Sequence, residues 1–182
     1  MTTFHFTPQA RGSRVAYLFP GQGAQAVGMG REIYDHSAAA RTVFHQVDMA
    51  LGRPLTKLLF NGPEDELRQT VNAQPAIMAV SLACIKAMEE KLGAEGMPRP
   101  ALMAGHSLGE YTALAVAGVL DVATTAQLVQ ARGELMQKAC EQNPGTMAAI
   151  LGLDEMTTEE IARETGTYVS NINTSEQIVI SG

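Results

Sequence analysis

The segment Gly105-His106-Ser107-Leu108-Gly109 has the G-x-S-x-G spacing of a nucleophile elbow. It lies between a short apolar run ending at Gly105 and an Ala-rich run beginning at Gly109, so a strand-turn-helix setting is expected. In such a turn the serine hydroxyl is lifted clear of the sheet. Small residues at 105 and 109 let strand and helix pack closely, and the backbone N–H of Leu108 faces the space where an oxyanion would develop. A second candidate, Gly21-Gln22-Gly23-Ala24-Gln25, follows an earlier strand-like run and lets the backbone at Gln22 approach a ligand. It lacks the third glycine of a dinucleotide fingerprint. Arg132 stands 25 residues beyond Ser107 among mostly neutral neighbours. Its residue type suits a structural ion pair or a snorkelling surface position, and equally the bidentate capture of a carboxylate.

A serine nucleophile needs a base, and the only histidines are His5, His36, His45 and His106. His106 adjoins the serine, but consecutive side chains leave an extended segment in opposite directions, so it reads as a pocket-shaping residue. In hydrolase order the base follows the nucleophile. No histidine follows Ser107.

These residues need elements to hold them. Arg14 to Phe19 reads as a buried strand stopped by Pro20-Gly21. Ala40, Val43, Phe44, Val47 and Leu51 form a helix face closed by Gly52, and Asn61-Gly62-Pro63 breaks the chain. Pro75 is expected to open a helix buried along Met78, Leu82, Ile85, Met88 and Leu92, with Cys84 as inert packing inside it. Ala101 to Gly105 is the second strand, a helix runs on to Ala117 and Gly118 closes it. Asp121 caps a helix bearing Val122, Leu128, Val129, Leu135 and Met136, which ends at Asn143-Pro144-Gly145. Alternation of this kind predicts an α/β domain with a largely parallel sheet. Beyond Gly145 the texture changes to a strand Met147–Leu151, a helix opened by a capping box at Thr157 and Glu160, and strands over 168–173 and 177–180. That order resembles the opening of a ferredoxin-like unit.

Composition narrows the function classes. The chain has 182 residues, 46% of them apolar, which is enough for one domain or two small ones. With 13 basic and 19 acidic residues the formal charge is −6, which argues against nucleic acid as a partner. Two isolated cysteines give neither a disulfide scaffold nor a zinc site, and fit a cytoplasmic protein. No apolar stretch reads as long enough for a membrane span. No acidic residue precedes Glu32, a bias shared with organelle transit peptides, but a strand starting at Arg14 leaves too short a leader.

Taken as a set, the segment Tyr17 to Gln25, Gln74-Pro75-Ala76, Gly105 to Tyr111, Arg132-Gly133 with Met136, Gly145 to Ala149, and Asn171-x-Asn173 ahead of 177–182 resemble malonyl-CoA:acyl carrier protein transacylase, in the same order. The resemblance implies a hydrolase-like parallel-sheet α/β core with an inserted ferredoxin-like subdomain, both incomplete here. The first would occupy 1–145 and the second 146–182. It implies that Ser107 accepts malonyl from coenzyme A and passes it to the phosphopantetheine thiol of an acyl carrier protein, with no permanently bound cofactor. Leu108 and Gln22 would supply oxyanion-hole N–H groups, and Arg132 would bind the malonyl carboxylate. Gln74, Asn171 and Asn173 match family positions near the pocket. Ser175-Glu176 departs from the family's common Pro-Gly. The family's base lies in a downstream segment, so this chain is expected to hold the nucleophile without it. A serine esterase or thioesterase, and a non-catalytic acyl- or carrier-binding module, are the competing classes.

Overall fold

The computed structural model describes residues 15–182. Arg14, where the first strand was expected to begin, lies outside that range, as does His5. Two compact units are present, Met1–Gln137 and Lys138–Gly182. The division falls within a helix, ahead of the change of texture after Gly145.

In the first unit, β1 (Ala16–Phe19) pairs in parallel with β2 (Leu102–Gly105), Phe19 standing opposite Gly105. Between them run α1 (Arg31–His36), α2 (Ala38–Leu51), α3 (Leu55–Asn61), α4 (Glu64–Arg68) and α5 (Thr70–Gly96). After β2 come α6 (Gly109–Val116) and α7 (Val122–Gln142). The α/β class and parallel pairing are as expected. The strands are not buried on both faces, however: Tyr17, Phe19 and Met103 turn toward the core, while Leu18 and Leu102 remain 73% and 56% exposed. Period-two alternation puts neighbouring side chains on opposite faces, and within this unit only one face of the pair is covered.

Helix α2 follows its sequence signals. Ser37 accepts from the Ala40 N–H, Gly52 ends the helix at φ 63°, and Ala40, Val43, Phe44 and Val47 are buried. Helix α5 departs from expectation. It begins at Thr70, so Pro75 lies inside it. Proline has no N–H for the carbonyl four residues back; Arg53 Nη2 donates to that carbonyl, on Val71, at 3.2 Å. Met78, Leu82 and Ile85 are buried as the spacing predicts. Met88 and Leu92 are exposed on the later turns, and Cys84, between buried Ala83 and Ile85, lies on the outer face of the helix and is an exposed thiol, not core packing. Residues 70–93 are long and apolar enough, by length and composition, to cross a membrane, which the sequence reading missed; most of that stretch is packed inside the protein, as a core helix requires. Asp121 caps α7 through the Thr124 N–H at 2.8 Å. Val122 and Val129 are buried, but Leu128, Leu135 and Met136 are exposed.

The second unit holds β3 (Met147–Leu151), α8 (Glu155–Thr165), β4 (Tyr168–Thr174) and β5 (Gln177–Ser181). Its sheet has the order β3-β5-β4, with β5 antiparallel to both neighbours. Ile178 of the central strand and Thr158 and Ala162 of α8 are buried. The cap of α8 is Asp154, not Thr157: Asp154 is extended, at ψ 170°, and its carboxylate accepts from the Thr157 N–H at 2.8 Å. An N-cap must be extended, whereas Thr157 already lies within the helix.

Candidate active site

Ser107 is the only described residue other than glycine with positive φ, at 55°. A left-handed conformation costs an L-residue on the order of 1 kcal/mol and persists where the surroundings enforce it. The enforcement is close packing. A Cβ on Gly105 would overlap the Gly109 carbonyl, and one on Gly109 would meet the Phe19 carbonyl carbon at 2.9 Å and the Pro20 carbonyl oxygen at 2.8 Å. Both glycines of the elbow are therefore required sterically, one by α6 lying across β2 and the other by the end of β1. Leu108, fully buried, anchors the turn from beneath. The N–H groups of Gly109, Glu110 and Tyr111 bond to carbonyls three residues back. Among the described residues, the Leu108 N–H engages no partner.

The Gly21-Gln22-Gly23 loop lies against the elbow. A Cβ on Gly21 would stand 2.6 Å from His106 Nδ1 and 2.8 Å from the His106 carbonyl oxygen, and the His106 N–H donates to the Phe19 carbonyl at 3.0 Å. His106 thus abuts the loop through both ring and backbone. The amide of Gln22 pairs with the Thr70 hydroxyl, Nε2 to Oγ1 at 2.9 Å. Its backbone N–H is unbonded among the described residues. Sequence reasoning missed Thr70, which stands 48 residues from Gln22 with no spacing signal to join them.

Arg132 comes from α7 onto the nucleophile. Its Nη2 donates to Ser107 Oγ at 2.8 Å and its Nη1 to Gln74 Oε1 at 2.5 Å, while Gln74 Nε2 donates to Met136 Sδ at 3.3 Å. Gln74 is fully buried. Its polar ends are both satisfied, as burial demands, and the sulfur at one end fixes which end faces the guanidinium. Helix α7 can approach this closely because residue 133 is glycine: a Cβ there would lie 3.0 Å from Val71 Cα and 3.1 Å from the Thr70 carbonyl oxygen. A cation tethered on one arm and touching the nucleophile with the other is placed to meet an anionic group on anything bound to that nucleophile.

The other described histidines are occupied elsewhere. His36 Nδ1 lies 2.8 Å from the Glu32 carbonyl oxygen and His45 Nε2 lies 3.4 Å from the Tyr34 hydroxyl. Among the described residues, no histidine is hydrogen-bonded to Ser107. Asn171 and Asn173 belong to the second unit, on β4, where Asn173 Nδ2 donates to Gln177 Oε1 at 3.2 Å.

Comparison with known proteins places the site in context. The profile of the acyl transferase domain matches residues 16–182. Malonyl CoA-acyl carrier protein transacylase of Bacillus subtilis strain 168 is 42% identical over 175 residues, covering 93% of this chain and 54% of that protein. The Escherichia coli K12 protein of the same name is 40% identical over 174 residues, covering 93% and 55%. Among solved structures, the acyl-carrier-protein-S-malonyltransferase of Bartonella henselae superposes with a TM-score of 0.86 at 46% identity, covering 92% of this chain and 55% of that one. A malonyl-transacylase in complex with its type II PKS acyl-carrier protein gives 0.83 at 41%, covering 92% and 54%. The chain spans about half the length of these relatives. With a constrained elbow serine, a tethered arginine against it, and a domain profile matched from residue 16 to residue 182, the chain belongs to the acyl transferase domain family.

Proposed function

We propose that the protein to which this chain belongs transfers malonyl from coenzyme A to the phosphopantetheine thiol of an acyl carrier protein, through an ester on Ser107. The observation that carries the proposal is the 2.8 Å contact between Arg132 Nη2 and Ser107 Oγ, with the other guanidinium arm held by Gln74. In a seryl malonate, one methylene separates the ester carbonyl from the free carboxylate. A cation selecting that carboxylate must therefore stand next to the nucleophile, and a fixed two-pronged donor suits it.

In this reading Ser107 Oγ attacks the thioester carbonyl and loses its proton to a base. The tetrahedral oxyanion is met by the N–H groups of Leu108 and Gln22, both without partners among the described residues. The C–S bond breaks, coenzyme A leaves as the thiol, and the ester remains. The carrier thiol then attacks the ester, the C–O bond breaks and Ser107 regains its proton. Thr70 orients Gln22, and His106 shapes the approach. Among the described residues no histidine is bonded to Ser107, and the base is assigned to none of them. Coenzyme A thioester and carrier protein are substrates, and no resident cofactor is required.

The same reading takes 1–145 as part of a hydrolase-like core and 146–182 as the start of a ferredoxin-like subdomain. The order β3-β5-β4, a strand-helix-strand pair split by an antiparallel strand, supports the latter. A cytoplasmic setting accords with the packed core helix and two free thiols.

Intact-mass measurement after mixing the full-length protein with malonyl-CoA, with and without carrier protein, tests the proposal. The expected result is a malonyl adduct that the carrier discharges and that Ser107→Ala abolishes. Hydrolysis of the adduct without carrier would identify a thioesterase. A stable adduct that the carrier leaves intact would identify an acyl-binding module. An adduct on the Ser107→Ala protein would reject the nucleophile.

A further inference from the structure

Arg53, in the turn between α2 and α3, takes no part in the chemistry above, yet it makes three side-chain hydrogen bonds. Its Nη1 donates to Asn72 Oδ1 at 2.7 Å, and its Nη2 donates to Gln130 Oε1 at 2.7 Å as well as to the Val71 carbonyl at 3.2 Å. Val71 is the residue whose carbonyl Pro75 leaves without a helical donor. Asn72 and Val71 lie in the first turn of α5, and Gln130 lies on α7. Arg53 therefore ties together the two helices that approach so closely at Gly133 and Val71 that a Cβ on Gly133 would lie 3.0 Å from Val71 Cα. The same stretch of α5 carries the residue that engages Arg132: Gln74 is three positions beyond Val71, on the same side of the helix.

A guanidinium is suited to this position because its planar fork reaches three acceptors in fixed directions, whereas an ammonium is a single point donor. Burial depresses the Arg53 pKa, and Glu134, Asp48 and Glu66 act to restore it. Its Nε is buried without a partner among the described residues. The site thus bears a desolvation cost to keep a fork where an aliphatic side chain could have packed.

We propose that Arg53 is a positioning residue for the acyl-carboxylate clamp: it provides the donor that Pro75 withholds from Val71 and joins the start of α5 to α7, so that Gln74 meets Arg132 and holds it at Ser107. The proposal rests on the reading of Arg132 as the group that selects malonyl. Its signature is a change in selectivity, which a merely structural arginine would not produce.

The test measures kcat/KM for acylation of the full-length protein by malonyl-CoA and by acetyl-CoA, together with Tm, in Arg53→Met, Arg53→Lys and Arg53→Met/Pro75→Ala. The malonyl-to-acetyl ratio is expected to fall about tenfold in Arg53→Met and by less in Arg53→Lys. It should recover in part in the double variant, where position 75 again carries an N–H for Val71. Equal loss of both activities, a lower Tm with the ratio intact, or no recovery in the double variant would overturn the proposal. Should Arg53→Met fail to fold, Gln130→Leu removes one acceptor and is expected to lower the ratio about threefold, and an unchanged ratio would overturn the proposal equally. Arg132→Ala separates the two levels. If it keeps the malonyl preference, the reading of Arg132 fails and the proposal with it. If it loses the preference while Arg53→Met keeps it, the Arg53 proposal alone fails.

Discussion

Ser107 and Arg132 touch across 25 residues of sequence, and under the proposed function that contact gives the acylation site its charge preference. A bidentate charge-assisted pair is worth on the order of 3 kcal/mol, or about a hundredfold in rate. Arg132→Ala should therefore lose about two orders of magnitude in malonyl transfer by the full-length enzyme. Acetyl transfer, which gains nothing from the cation, should be retained or increased. Parallel steady-state assays with the two thioesters check this, and an equal loss of both would make Arg132 a structural residue.

At the scale of elements, the site depends on how closely α7 can lie on the start of α5. A methyl group on Gly133 would press on Val71 Cα and the Thr70 carbonyl, both backbone, which cannot swing aside as a side chain can. Gly133→Ala is expected to destabilise the fold by about 1–3 kcal/mol, the usual cost of overpacking, despite the better helix propensity of alanine. Thermal melting measures the loss. Helix starts supply a pH dependence. The Asp154 carboxyl is held below its ordinary pKa, first by the Thr157 backbone N–H and then by the Thr157 side chain, against a smaller opposing effect of desolvation. Asp121 is lowered similarly, foremost by the Thr124 backbone N–H. A carboxyl with a depressed folded-state pKa stabilises fully above the unfolded value, and that contribution disappears as pH falls through the folded value. Urea midpoints of wild type and Asp154→Ala should differ near neutral pH and converge as pH falls through the lowered folded-state pKa of Asp154. A gap that persists in acid would mean that the cap acts through packing.

For the molecule as a whole, two observations bear on what residues 1–182 can do unaided. Among the described residues no histidine reaches Ser107, and the parallel pair β1-β2 leaves Leu18 and Leu102 exposed on its outer face. Parallel strands are ordinarily covered on both faces, and open strand edges invite pairing with other chains. General-base assistance is worth about 10²–10⁴-fold in rate. A protein limited to residues 1–182 is therefore expected to malonylate a carrier slowly and to self-associate, whereas one extended to the length of its relatives should be monomeric and fast. Carrier malonylation and light scattering at equal protein concentration compare the two. Full turnover by a monomeric short form would mean that a base within these residues had been overlooked.

The elbow, its strand and helix, the close of α2 at Gly52 and the cap at Asp121 were legible in the sequence because each is local: a steric or hydrogen-bonding requirement met within a few residues. The site's residue types were legible for the same reason, Ser107 through its flanking glycines and Gln22 through the glycines beside it. Helix α5 misled because Pro75 signals a helix start unless some other group serves the carbonyl behind it, and that group, Arg53, lies 18 residues from Val71. Thr157 imitated a capping box one turn too late, since Asp154 was already extended and within reach of its N–H. By residue type alone Arg132 was a cation of undecided purpose, and only the family resemblance pointed it at a malonyl carboxylate. Only the packing of α7 on α5, permitted by Gly133 and locked by buried Gln74, brought its fork onto Ser107, because a contact between distant residues is decided by which helix faces can approach and not by any pattern along the chain.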